Sequence, residues 1–371
     1  MNRLPLKFSV LASLITLYAA CSRPAPVNEP QANNTGTSII PAPQINSETG
    51  FVYVANEDGN SISVIDLSSG QVREIATGLM PHNVQISRDG RLLLAVGIVP
   101  AMAMAGNQVP MKMSAAEMKE SGALLILDAG ATAVDGAAEI KIGRHPAHVV
   151  IDAQGKLAYA TNSEDNTISV IAVAQKKVVG EIKTGKFPHG LRLSPDGREI
   201  YAANVNDNSV SIIDTARAKE VMRLPVGKAP VQVGFTPDGR QAYVSLRDEN
   251  RVAVIDTALH KVIATVAVGR NPIQLFATPD GRFVYVANQG TETNPDNTVS
   301  VIDTATHLVT ATIETGKGAH GVVISDDGRR VYVTNTADDT VSVIDTAAQK
   351  VIKSFKVGKG PNGITFKNAI R

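Results

Sequence analysis

Residues Ser194–Thr236 read SPDGREIYAANVNDNSVSIIDTARAKEVMRLPVGKAPVQVGFT, and the chain then says nearly the same thing again. Four runs stand in this stretch: Tyr201-Ala-Ala, Ser209-Val-Ser-Ile-Ile-Asp214, Glu220-Val-Met-Arg-Leu-Pro-Val and Val231-Gln-Val-Gly-Phe-Thr236. The second alternates apolar and polar residues with period two, which is the pattern of a half-buried strand. Turn residues separate all four. Tyr159, Tyr201, Tyr243 and Tyr285 recur every 42 residues, and Tyr332 follows after 47. In the other direction Leu94 takes the place of the tyrosine, and Tyr53 stands 41 residues before it. Seven units of about 40–45 residues, each with four short strands, predict an all-β fold, a seven-bladed β-propeller.

The phase of the repeat predicts how the ring closes. With the innermost strand of a blade called a, the order is a, b, c, d, and b is the tyrosine strand. The repeats begin at a b strand (Phe51–Ala55) and end at an a strand (Gly363–Phe366). The C-terminal strand is therefore expected to join the N-terminal b, c and d strands in one blade and leave no free edge. Gly50, Gly90, Gly155, Gly197, Gly239, Gly281 and Gly328 share a register between a and b, where a tight hairpin needs them. A second series (Gly78, Gly143, Gly185, Gly227, Gly269, Gly316, Gly358) ends strand d and is also read as loop geometry. Asp66, Asp128, Asp214, Asp256, Asp303 and Asp345 end strand c. Radial copies stand too far apart to share an ion, so these aspartates are read as turn acceptors.

The composition suits one large domain: 371 residues, 43% apolar, net charge +1. Near-neutral charge gives no general case for nucleic acid. Residues 1–20 read as a signal peptide, with Arg3 and Lys7 ahead of an apolar stretch too short to span a bilayer. Cys21, the only cysteine, follows Leu17-Tyr-Ala-Ala20 and resembles the lipidated residue of a bacterial lipoprotein signal. Ser22 after it favours the outer membrane, facing the periplasm or the cell surface. Tyr18 stands where Leu is usual, which leaves open a soluble periplasmic form cut by the ordinary signal peptidase. Residues 22–46, rich in Pro and Asn, read as a disordered tether, and residues 47–371 as the propeller. A single cysteine excludes an internal disulfide and CxxCH haem attachment.

Tyr332-Val-Thr-Asn335 states the motif for which the YVTN β-propeller repeat family is named. Tyr53-Val-Ala-Asn56, Tyr159-Ala-Thr-Asn162, Tyr201-Ala-Ala-Asn204 and Tyr285-Val-Ala-Asn288 are close variants. Residues 51–366 resemble this family, which includes surface-layer and exported binding proteins. The absence of Trp sets the chain apart from Trp-Asp repeats. The architecture also resembles the propellers of nitrous oxide reductase and of the seven-bladed lactonases, but a fold is not a function.

Chemistry is sought on the face that carries the b–c and d–a loops. Two insertions fall in b–c loops, a large one over residues 98–121 and a five-residue one near Gln289–Pro295. Eight positions before the a–b glycine stand His82, His189 and His320. The next position holds His148, and His145 lies close by. Imidazoles converging on one rim suit a transition metal. The large insertion holds Met102, Met104, Met111, Met113 and Met118, and Met80 stands two before His82. Thioethers suit Cu(I), so copper is the metal to consider, against a plain apolar lid or partner surface. Arg144, Lys186, Lys228, Arg270, Lys317 and Lys359 follow the d-strand glycines and could draw an anion to the pore. Acidic residues of the b–c loops (Asp58, Asp165, Asp207, Asp248, Asp338) share the face and partly cancel that charge.

No GxSxG, HExxH or P-loop is present. The sequence reading is therefore a non-enzymatic binding or scaffold propeller of the cell envelope. It is expected to be monomeric, to bind a protein or small ligand on the insertion-bearing face, to touch the membrane only through its anchor, and to need no cofactor. Two alternatives stand beside it. One is a periplasmic copper- or other metal-binding protein. The other is a lactonase-like hydrolase, with His189 and Arg192 as the one inner-strand pair.

Overall fold

A computed structural model describes residues 49–100 and 121–368. Cys21, the signal and tether segments, and the methionines from Met102 to Met118 lie outside the described residues. The described chain forms seven four-stranded antiparallel sheets. The first contains β1 (Gly50–Asn56), β2 (Ser61–Asp66) and β3 (Val72–Ala76), and its inner strand is β28 (Pro361–Asn368) from the other end of the chain. This is the closure that the phase of the repeat predicted. The remaining inner strands are β4 (Met80–Ile86), β8 (Pro146–Ile151), β12 (Pro188–Leu193), β16 (Pro230–Phe235), β20 (Pro272–Ala277) and β24 (Ala319–Ile324). Each opens one of blades 2 to 7 in chain order. Strand β28 packs against both β24 and β4, so the ring is complete.

A twisted four-stranded sheet has two apolar faces and must cover both. Seven clusters of buried side chains do this, one between each pair of neighbouring blades. The repeat tyrosines are the largest members. Tyr53, Tyr201, Tyr243, Tyr285 and Tyr332 are all within 1% of complete burial. Tyr53 also donates its hydroxyl to the carbonyl of Ala129 in the next blade, at 2.7 Å.

The strand-ending aspartates close turns as expected. Oδ1 of Asp214 accepts the Arg217 N–H at 2.8 Å, and Asp256 and Asp345 bind Leu259 and Ala348 in the same way. The first glycine series has positive φ throughout, for instance +72° at Gly239. In the second series Gly78 and Gly227 have the positive φ that loop geometry expects, and the other five do not. Gly185 has no left-handed φ. Its N–H donates to Ser211 Oγ at 3.1 Å, and Asn204 Nδ2 donates to the same oxygen at 2.9 Å. A Cβ on Gly185 would stand 2.6 Å from Asn204 Cγ. Gly143, Gly269, Gly316 and Gly358 meet Asn162, Asn288, Asn335 and Asn56 equally closely. The asparagine of the YVTN motif thus pins the incoming d–a loop, and the glycine is there because nothing larger fits. Gly185→Ala is expected to cost about 2 kcal/mol, as overpacking of a filled interior does, and to show as a lower urea midpoint.

Both insertions fall in b–c connections, as the repeat phase required. The smaller is not a loop. Strands Phe283–Thr291 and Asn294–Asp303 extend past the blade as one hairpin, paired to Thr291 and Asn294 and bulged beside Gly290.

Candidate functional site

The inner strands break register where they reach the channel mouth. In β12 the ladder passes from Pro188 to Leu191, and the same break follows Pro146, Pro230, Pro272 and Ala319. A bulge of this kind turns side chains out of the ladder. It frees the two positions that hold His189, His148 and His320. In β4 the break follows Pro81 and frees His82.

The four histidines come from blades 7, 2, 3 and 4 and meet across the mouth. Ring centroids of His82 and His189 are 5.1 Å apart, His148 and His189 5.1 Å, His82 and His148 5.8 Å, and His82 and His320 6.3 Å. One nitrogen each from His82, His148 and His189 lies within 4.8 Å of the other two. Nitrogens bound to one tetrahedral metal at about 2.0–2.1 Å stand about 3.3 Å apart. The Nε2 atoms of His82 and His189 are already 3.2 Å apart. His145 is not part of the cluster. It lies beside Glu164 and the Phe187 ring.

Hydrogen bonds fix the tautomers of the central pair. Nδ1 of His82 stands 3.1 and 3.2 Å from the two oxygens of Glu57, and Nδ1 of His189 stands 3.3 Å from the Val231 carbonyl. Carboxylate and carbonyl oxygens only accept, so both Nδ1 atoms carry hydrogen. In neutral rings the two Nε2 atoms would then face each other lone pair to lone pair. Only a cation between them relieves this, and the candidates are a proton and a metal ion. Burial acts to lower the proton affinity of His82, but the charge and hydrogen bond of Glu57 overcome it and raise the pKa. Burial, followed by the charge of His82, holds His189 well below the usual range. Of the two rings His82 is therefore the one that favours a shared proton, its Nε2–H donating a hydrogen bond to His189 Nε2. Burial also keeps His148 neutral and drives His320 down to about 3.

Glu57 is the anchor of the arrangement. Burial alone would raise its pKa, but the charge of His82 and hydrogen bonds from His82 and Asn362 bring it down to about 2. Asn362 donates to it at 2.6 Å. Sequence reading had not singled out Glu57. The signal was there: the residue after the motif asparagine is Ser163, Val205, Gln289 or Thr336 elsewhere, and carboxylate only here. On the far side Gln232 Nε2 stands 3.3 Å from His148 Nδ1, and its Oε1 accepts the Val233 N–H. The buried Nε2 of His148 has no partner among the described residues. For His148 to ligate through Nε2, its hydrogen must move to Nδ1 and the Gln232 amide must turn over.

Four of the six basic residues after the d-strand glycines are tied to acids of the b–c loops. Arg144 bonds Asp165 through both its backbone N–H and Nε, at 2.6 and 2.7 Å. The backbone N–H groups of Lys228, Arg270 and Lys317 bond Glu249, Asp296 and Asp338. These contacts draw the b–c and d–a loops together and set an acidic group beside each of these basic residues.

A family profile described as YNCE-like beta-propeller matches residues 108–281 and 273–371. The chain belongs to that family. No curated protein matches it. Among solved structures it is similar to hydrazine synthase of Kuenenia stuttgartiensis, with TM-score 0.64 and 20% identity over 78% of this chain and 95% of that one. A protein of Bacteroides uniformis described as a candidate 6-phosphogluconolactonase gives TM-score 0.67 and 14% identity over 86% and 100%. A functionally unknown protein of Desulfotomaculum acetoxidans gives 0.66 and 14% over 86% and 99%. At these identities the likeness is one of fold.

Proposed function

We propose that this YNCE-like propeller is a binding protein whose ligand is a transition-metal ion, held by His82, His148 and His189 on the insertion-bearing face. One observation carries the reading: two imidazoles with both Nδ1 atoms committed as donors face each other at 3.2 Å through Nε2. That is the posture of metal-ligating histidines, whose outer nitrogen is held by a carboxylate or backbone carbonyl. An all-imidazole set suits Zn(II), Cu(II) and Ni(II). Copper is the first metal to test, because the sequence between Ile98 and Gly122 is rich in methionine. The N-terminal sequence supports export to the envelope with Cys21 as the lipidated residue, and the YVTN-type repeats fit a binding rather than a catalytic role.

The test is calorimetric titration of chelator-stripped protein with Cu(II) and Zn(II). One equivalent binding below micromolar is expected, and nothing tighter than millimolar for either ion would overturn the reading. Glu57→Gln keeps the shape but removes the charge that orients His82. Its metal affinity is expected to fall about 10- to 100-fold, the usual cost of losing a carboxylate that orients a ligating imidazole. Asp58→Asn, one residue further from the ring, is expected to change nothing in the same titration.

A further inference from the structure

We propose that the channel just below the histidines is a binding subsite for a small monocarboxylate, built on Arg192 and Phe276. Arg192 lies three residues after His189 on β12 and pairs with Tyr201, so it occupies the next layer inward. Phe276 holds the same register place on β20, opposite Tyr285. Their blades, 4 and 6, are not neighbours. Blade 5 stands between them and contributes Gly234 at this level, opposite Tyr243. Yet Arg192 Cζ is 5.6 Å from the centre of the Phe276 ring. Both side chains therefore reach into the channel past the glycine.

The guanidinium has no hydrogen-bond or ion-pair partner among the described residues. Glu57, the carboxylate at the channel mouth, is already held by His82 and Asn362. Burial draws the pKa of Arg192 down to about 10, which leaves it charged at neutral pH. An enclosed charge ordinarily has a counter-ion, and here the protein supplies none. A planar guanidinium fork matches a carboxylate in two parallel hydrogen bonds. Val150 and Val323 hold the same register place in blades 3 and 7, and both are buried. Gln85 and Thr365 hold this place in blades 2 and 1, where Gln85 donates to the Ile86 carbonyl and Thr365 accepts the Ile86 N–H. One cation with the Phe276 ring and these valines around it fits a single negative charge on a short apolar body.

Only the position of the subsite next to the metal ligands rests on the metal reading, so the test is run on metal-free, full-length mature protein. Butyrate and inorganic phosphate are titrated separately by calorimetry into wild type, Arg192→Met and Arg192→Lys. Wild type is expected to take up one butyrate saturably. Arg192→Met is expected to bind it at least tenfold more weakly, and Arg192→Lys, which keeps the charge but loses the fork, to fall between. Equal butyrate binding by Arg192→Met, or tighter binding of phosphate than of butyrate by wild type, overturns the proposal. An absence of metal binding in the separate titration would leave both results readable.

Discussion

On the metal-binding reading, a His82→Ala/His189→Ala double variant is expected to bind no metal while keeping its fold. Each ring contributes one of the facing Nε2 atoms, so the pair supplies both ends of the shortest donor–donor contact in the cluster. Changes one shell out cost about 10- to 100-fold. Removing two direct ligands should cost at least the product of two such losses, about 10²- to 10⁴-fold, unless the sites are strongly coupled. The remaining rings cannot compensate. His148 and His320 are on opposite sides of His82, and neither has a carboxylate like Glu57 on its outer nitrogen. The fold should survive because the mutated side chains point into the channel rather than into the seven clusters between blades. Stability should fall somewhat, since the loss of His82 leaves the part-buried Glu57 carboxylate with only Asn362 to hold it. Elemental analysis with a thermal melt on the same sample reads both halves. Stoichiometric metal retained by the double variant would remove these residues as ligands.

The fold was legible because a repeat multiplies weak signals. No single Tyr-x-x-Asn segment identifies a strand, but five of them among seven units in register fix the blade, its phase and the closing strand. The histidine rim was legible in the same way, as a column of two adjacent register positions. What the sequence hid was distance. His82 and His189 are 107 residues apart, and whether their blades bring the rings within reach of one ion depends on channel radius and on the bulges after Pro81 and Pro188. A search for residues shared at one register position also passes over Glu57, because it matters through being unlike its counterparts. The role of the second glycine series was also hidden. Glycine in a loop reads as a turn, and only coordinates show that Asn204 occupies the space a side chain at Gly185 would need.

A chain ending at Gly360 is expected not to form a stable propeller. The residues removed include all of β28, which pairs with β1 from Gly50↔Asn368 to Asn56↔Pro361 and packs on β24 and β4. Ile364 and Phe366 would leave the cluster between blades 7 and 1. Large apolar side chains cost about 2–5 kcal/mol each when deleted from a core, and each lost ladder hydrogen bond about 1 kcal/mol. Two such side chains and roughly half a dozen bonds reach about 10 kcal/mol, which is comparable to the whole stability of an ordinary domain, about 5–15 kcal/mol. The truncation would also expose β1 as an apolar edge, Val52 and Val54 included, so the product should aggregate rather than merely soften. It would remove Asn362 from Glu57 as well, and disturb the histidines from the other side of the ring. Two additions separate loss of closure from loss of residues. A peptide of residues 361–371 supplied in trans should restore a cooperative melt, and so should a circular permutant carrying those residues ahead of Gly50. A truncated chain that melts within a few degrees of the full protein would show that the ring is held by its blade interfaces alone, with the closing strand dispensable.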